Sequence, residues 1–346
     1  MAETLTATAL TLKDIAREAG VSLATVDRVL HNRPGVRPDT VRRVKEAIAR
    51  NSFQPHVAAA ELARGRARRF AFVMPSGPNP FMQQIEAYLG EMAAWLSARR
   101  LHVEMIATDV FDAPVLASSL EALSGGYDGV AVVALDHPIV RAAINDLVDA
   151  GTKVVTLVSD VPSSRRHHYV GIDNIAAGRT AGALVGRLVG QRSGKVAIVA
   201  GSQGLRDHAE RIFGFNQVMT AEFPDLDVLP VLEGRDEDDR SEQLLTRLLG
   251  EHADIVGLYN VGAGTQGVAK ALSDAGRHDV VFVGHDVTAL TRRLLLQGLM
   301  DAAISQNPGH EARAAVRVLL ALARGEPILS EQEKIRIDIV MRDNLP

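Results

Sequence analysis

The sequence predicts a small all-α head followed by an α/β body whose two doubly wound, Rossmann-like parallel sheets form two lobes with a crevice between them. Three observations predict it. Residues 11–30 hold two short amphipathic patterns that meet across Ala19-Gly20-Val21-Ser22, and from Phe70 onward short β-rich apolar runs alternate with longer helical patterns. Charge is also divided unevenly: residues 1–69 carry 13 Lys and Arg against 7 Asp and Glu (+6), which leaves −10 for the rest of a 346-residue chain of net charge −4. A chain of this length holds two or three structural units.

Within the head, Thr11 is placed to cap the first helix, with Asp14 three residues on, while Leu12, Ile15, Ala16 and Ala19 share one face. Gly20 ends that helix and Ser22 caps the second, whose Val26, Val29 and Leu30 turn inward. Leu23, Ala24, Asp27 and Arg28 are left facing outward. Pro38 opens a third helix with Val41, Val44, Ala47 and Ile48 at helical spacing and Arg42, Arg43, Lys45 and Arg50 mostly on the other faces. Three such helices close a small core with the anatomy of a helix-turn-helix, whose second helix enters a major groove. Amphipathicity alone fits an ordinary helical hairpin equally well; the tight turn, the spacing and the basic charge together favour DNA.

These patterns divide the chain into an N-terminal extension (1–10), the head (11–54), a hinge helix and linker (55–69) and the body (70–346). In the hinge, Pro55 starts a helix, residues 58–63 favour one and Gly65 ends it. At about two turns it is marginal alone in water and needs DNA or a partner copy to pack against.

In the body, strands are expected at 70–74, 103–106, 129–133, 154–158, 195–199, 255–259 and 280–284. Such continuous apolar runs belong to parallel sheet covered on both faces. A single sheet would need around ten strands, and a polar joint lies near 159–168. The body is therefore divided into lobes of about 70–165 with 305–328 and 166–304 with 329–346, the crevice between them being the natural ligand site.

Several chemistries are excluded or weakened. The chain has no cysteine, hence no disulfide, thiolate zinc site or cysteine nucleophile. The histidines are scattered, and His167-His168 lacks helical ligand spacing, so neither a metal nor a cofactor is expected. No apolar stretch approaches the roughly 20 residues of a membrane helix, and residues 1–10 lack the basic start of a signal peptide. No membrane partner and a cytoplasmic location are the expectation. Gly262-Ala263-Gly264-Thr265-Gln266-Gly267 is a G-x-G-x-x-G between a strand and a helix, which raises an NAD(P)-dependent sugar dehydrogenase as an alternative. The motif nevertheless lies deep in the chain without a clear ribose-binding acid.

Taken together, the head, hinge and body motifs resemble the lactose-repressor (LacI) family of bacterial transcription regulators over about residues 11–342. The head follows T-x-K-D-V-A-x-x-A-G-V-S-x-A-T-V-S-R-V-L-N apart from conservative changes, with Asp27 where the family has Ser and His31 where it has Asn. Both departures lie on or beside the recognition helix, so the usual operator half-site does not carry over. The resemblance implies a homodimer on a near-palindromic double-stranded operator, with Leu23, Ala24, Asp27 and Arg28 at base edges. Thr11, Ser22, Thr25, Arg33, Arg37, Thr40 and Arg43 would position the phosphate backbone. Ala59 and Leu62 match the hinge A-x-x-L positions, and Leu62 is implied to wedge between base pairs in the minor groove. No leucine-heptad helix follows the last strand, which favours a dimer over a tail-built tetramer.

The body resembles the two-lobed periplasmic sugar-binding proteins. Asn79-Pro80-Phe81, with Met82 following, matches their N-P-F turn, and Arg211 stands three residues before Gly214 in an R-x-x-G-[FW] element. Asn260, Asp286 and Gln306 match the remaining polar ligands. Many relatives place an Asp directly after the equivalent of Leu157; here Val158 stands there and Ser159 and Asp160 follow. Asn260 is likewise followed by Val261 where an Asp is common. A pocket less acidic than the family pattern is therefore expected, open to a sugar, a polyol or a sugar acid as a small carbohydrate-like effector. Taken singly, each residue also has a plain structural reading: Arg211 as an ion pair between lobes, Asp286 as a helix cap, Asn79 as a turn former.

Overall fold

The structure, a computed structural model, describes residues 12–30, 34–50, 67–77 and 79–346. The chain divides into two compact units, Met1–Arg66 and Ala67–Pro346.

In the first unit, helices α1 (Leu12–Glu18), α2 (Leu23–Leu30) and α3 (Pro38–Arg50) close around Ile15, Ala16, Ala19, Val26, Val29, Val44 and Ala47. These are the inward positions that helical periodicity predicts. Gly20 takes φ +62° at the end of α1, a left-handed conformation that a side chain would oppose. Ser22 Oγ then accepts from Thr25 N at 3.2 Å, the capping bond that starts α2.

The second unit begins with a five-stranded sheet. It comprises β1 (Arg68–Pro75), β2 (Leu101–Thr108), β3 (Gly129–Val132), β4 (Lys153–Leu157) and β5 (His168–Val170), all parallel, in the order β2-β1-β3-β4-β5. Its strands are buried on both faces. Phe70, Phe72 and Met74 pack with Ile85 and Leu89 of α4 (Pro80–Glu91). Ala71 and Val73 pack on the opposite face with Leu116 and Leu120 of α6 (Ala113–Glu121) and Ile144 and Leu147 of α7 (Pro138–Asp149); the short α5 (Ala93–Ala98) follows α4.

A second sheet forms the other lobe. Here β6 (Gly194–Ala200), β7 (Leu226–Val228), β9 (Ile255–Asn260), β10 (Val281–His285), β11 (Ala302–Ser305) and β12 (Asp338–Val340) run in the order β12-β11-β10-β9-β6-β7, and β8 (Leu232–Glu233) also pairs with β6. Only β12 is antiparallel. Helices α8 (Asn174–Val189) and α9 (Arg206–Glu222) cover one face; α10 (Asp238–Glu251) and α11 (Thr265–Asp274) cover the other. Two further helices, α12 (Ala289–Gln297) and α13 (Pro308–Arg324), precede the single turn α14 (Ser330–Glu333). Of these, α13 returns to the first lobe and packs on α4, β3 and β4.

The chain thus passes between the lobes after Val170, after Ser305 and again on the way to β12. The first crossing lies beyond the expected joint at 159–168, because His168–Val170 pairs in parallel with β4 and belongs to the first sheet. All seven strands expected from apolar runs are present. The five short strands β5, β7, β8, β11 and β12 were not expected. No described helix is long and apolar enough to cross a membrane.

Candidate functional site

Two sets of residues were expected to act, one on the head and one in the crevice. On the head, Leu23 is 45% exposed, and Ala24 and Arg28 are exposed on the same helix, with Asp27 half-buried beside them. An uncovered leucine at the start of α2, next to an exposed arginine, presents an apolar and a charged contact together. Arg37 is also exposed. Ser22 and Thr25 join through their hydroxyls at 2.9 Å. Arg43 has a structural role beside the expected one: its guanidinium donates to Ala19 O at 2.6 Å and to Gly20 O at 3.2 Å, fastening α3 to the carbonyl end of α1. Thr11, His31, Arg33, Ala59 and Leu62 lie outside the described residues.

Between the lobes of the body lies a cavity of about 150 Å³. Of the expected ligand residues, Asn79, Phe81, Met82, Arg211, Asp286 and Gln306 line it. Asn79 Oδ1 accepts from the backbone N–H groups of Phe81 (3.0 Å) and Met82 (3.3 Å), so one asparagine both caps α4 and faces the crevice. Its Nδ2 donates across the crevice to Asp236 Oδ2 at 3.3 Å.

Arg211 is the centre of the site. It is 2% exposed and donates to Asn174 Oδ1 (2.8 Å), Val261 O (2.9 Å) and Gln306 Oε1 (2.8 Å). Gln306 Nε2 in turn donates to Asp286 Oδ2 at 3.1 Å. A chain of hydrogen bonds therefore runs from the first crossing, where Asn174 opens α8, to the second, where Gln306 follows β11. The position of Arg211 depends on close contact between α8 and α9: a Cβ on Gly178 would lie 1.9 Å from Arg211 O, and one on Gly214 would lie 2.2 Å from Ile175 O. Only glycine lets the two backbones meet there.

Electrostatics at the site are dominated by burial. It pushes the Asp286 carboxyl up to about 6, against the pull of Arg211, and raises Asp236. His285 is driven well below the ordinary histidine range by the same cause, with Arg211 and His208 adding to it; its Nε2 lies 2.8 Å from Tyr259 Oη. Glu311, in the first turn of α13, is fully buried with neither carboxyl oxygen hydrogen-bonded, and burial raises it well above the usual carboxylate range.

Three expected ligand residues are not at the cavity. Asn260 is fully buried and spends its amide on Gly262 O, Ala263 O and Thr265 Oγ1, bracing the turn into α11. Asp160 forms an ion pair with Arg166 and bonds Thr156 Oγ1 at 2.5 Å, and Ser159 is buried behind it. The expectation of a less acidic pocket also fails. Asp207 and Asp236 line the cavity beside Asp286, and the sequence reading had placed neither. Asp236 lies on the loop between β8 and α10 at φ +60°, directly after Arg235 at φ +53°. A Cβ on Gly262 would lie 2.7 Å from its Oδ1, so that glycine makes room for the carboxylate.

The same turn gives the nucleotide reading no support. Asp238 Oδ1 accepts from Gln266 N (3.1 Å) and Gly267 N (3.3 Å), occupying the helix-terminal N–H groups that a pyrophosphate needs. Gly267 serves helix packing, since a Cβ there would lie 1.8 Å from Asp238 O.

A three-helix head with an exposed second helix, followed by two parallel-sheet lobes enclosing a polar cavity at their strand ends, defines the class of bacterial regulators built on a binding-protein fold. The chain belongs to the LacI family of DNA-binding transcription regulators: residues 70–327 match the periplasmic binding protein domain and residues 11–56 match the bacterial regulatory proteins of the lacI family. Catabolite control protein A of Priestia megaterium is 24% identical over 282 residues, covering 81% of this chain and 75% of that one. Two solved structures show the fold of the body. GanP, a glucose-galactose binding protein from Geobacillus stearothermophilus, has a TM-score of 0.73 at 23% identity over 81% of this chain and 99% of its own. An ABC transporter solute binding protein from Burkholderia graminis C4D1M in complex with D-arabinose has a TM-score of 0.73 at 24% identity, over 81% and 97%.

Proposed function

We propose that this protein is a homodimeric repressor, acting in the cytoplasm on a near-palindromic operator, whose DNA affinity is set by a small carbohydrate-like effector bound between the lobes of its body. The observation that carries this reading is the cavity between the lobes, where Arg211, Gln306 and Asp286 form a continuous polar chain opposite Phe81 and Met82. Fork-shaped guanidinium and carboxylate groups make paired hydrogen bonds to neighbouring hydroxyls, and an aromatic face covers the apolar side of a sugar ring.

Support for coupling comes from bonds that span the crevice. Gln84 Nε2 donates to Val287 O at 3.0 Å, Asn79 meets Asp236, and Arg235 lies 3.4 Å from Asp109 Oδ2 with its guanidinium 5.3 Å above the Phe111 ring. A ligand that favours the closed pair of lobes stabilises these contacts, shifts one lobe against the other and alters the setting of the hinge. Such coupling amounts to roughly 1–3 kcal/mol. Leu62 is assigned the minor-groove wedge on the family resemblance of the hinge.

The test is fluorescence anisotropy of the purified protein on its own upstream DNA, at two salt concentrations, with and without a panel of sugars, polyols and sugar acids. Tight, salt-sensitive binding that a panel member changes is expected. Equal operator affinity with and without saturating ligand rules the coupling out.

A further inference from the structure

The cavity carries an excess of negative charge that a neutral sugar does not require. Asp207, Asp236, Asp238 and Asp286 line it, against one buried cation, Arg211, which lies 3.9 Å from Asp207. His208 also lines it: its Nδ1 accepts from Ser202 N at 3.3 Å and its Nε2 lies 3.6 Å from Asp207 Oδ2. With histidine taken as neutral, the formal balance of the lining is −3.

Asp207 supplies a second, independent sign of a missing partner. It is 3% exposed, and its Oδ1 is buried without any hydrogen bond although the residue borders the cavity. Buried carboxylate oxygens are normally satisfied, and leaving one bare is costly. The opposite, first-lobe wall gives little to an anion. It consists largely of apolar side chains such as Phe81, Met82, Val133 and Val158, and Asn79 already directs its amide N–H to Asp236. Donors belonging to the ligand must therefore be aimed at the second lobe.

We propose that the cavity is built for a polyhydroxylated ligand carrying an ammonium group, an amino sugar or aminated cyclitol, with the ammonium held by Asp207 and Asp236 and the hydroxyls by Asp286 and Arg211. A sugar acid, left open by the sequence, is rejected because its carboxylate enters a site that already holds surplus negative charge. This inference rests on the reading of the crevice as an effector site.

Isothermal titration calorimetry on the full chain near pH 7 tests it, with D-glucose, D-galactose and D-mannose each compared with its 2-amino-2-deoxy sugar and its uronate. The expected result is that one amino sugar binds at least about tenfold more tightly than its parent hexose and that the matching uronate binds more weakly than the parent. Asp236→Asn, which keeps the shape and suits the left-handed backbone, narrows the affinity ratio between amino sugar and parent hexose toward one. A parent hexose that binds as tightly as its amine, or a uronate that matches it, overturns the inference and leaves the carbohydrate reading standing. Binding by none of the panel overturns both.

Discussion

Replacing Asp286 by asparagine should make the unliganded protein more stable and the liganded protein less responsive. Asp286 stands at φ +65°, which asparagine tolerates, and accepts from Gln306 at 3.1 and 3.3 Å. The charged and polar groups that face it are Arg211 and Asp207 on α9, Gln306 after β11 and Glu311 on α13, and of these only Arg211 is cationic. Its acidity is raised from 3.8 to about 6, so the native state holds this proton more tightly than the unfolded chain does. The sign follows: stability falls as pH rises from about 4 to 6, and above that the buried charge costs about 3 kcal/mol. Asparagine removes that cost but weakens the Gln306 hydrogen bond by about 1 kcal/mol. The net gain is about 2 kcal/mol near pH 8 and under about 1 kcal/mol near pH 5, where the wild-type carboxyl is already mostly protonated. In a body of this size that corresponds to a rise of roughly 4 °C in Tm near pH 8, read by thermal unfolding in paired buffers. The stabilisation that saturating ligand gives to the wild type should shrink in the variant. No gain near pH 8, or a gain undiminished near pH 5, refutes the reasoning.

Three further substitutions separate the parts of the molecule. Arg43→Ala should destabilise the head by about 1–2 kcal/mol, since the Ala19 and Gly20 carbonyls lose their donor. The dependence of DNA affinity on salt should keep its slope; a slope smaller by about one would instead make Arg43 a phosphate contact. Leu62→Ala should weaken operator binding by about tenfold or more with ligand affinity unchanged in calorimetry, and an unaltered operator affinity removes the wedge. Arg211→Ala strips the donor from Asn174, Val261 and Gln306, so Tm should drop by several degrees and the ligand response of DNA binding should vanish in anisotropy while ligand-free DNA binding persists. A retained response moves the pocket elsewhere.

What the sequence made legible follows from how local each signal is. Helical periodicity located Ile15, Val26 and Val44 in the head core because a three-helix unit buries one stripe of each helix. Strands buried on both faces, such as Val281–His285, announce themselves as continuous apolar runs. The short β7, β8 and β12 lack such runs; only their neighbours define them. Arg211, Asp286 and Gln306 were placed by the family resemblance, Arg211 inside α9 and the other two directly after β10 and β11. Asp236 was not found, since its place depends on two consecutive left-handed residues and on the space left by Gly262, neither of which a local pattern encodes. Asn260 was placed one layer too far out for a related reason. Its amide is consumed by a turn whose three acceptors become visible only once the chain has folded back on itself.

The contact between α8 and α9 has a mechanical meaning. Side chains that meet through rotatable bonds behave as compliant springs, and a small displacement on one side is absorbed by a change of rotamer. At Gly178 and Gly214 the two helices touch through their main chains, which have no such give. A pull on the Arg211 guanidinium is therefore passed to both helices together, as to a single stiff lever, and from Asn174 at the root of α8 it arrives at the strand crossing without slack.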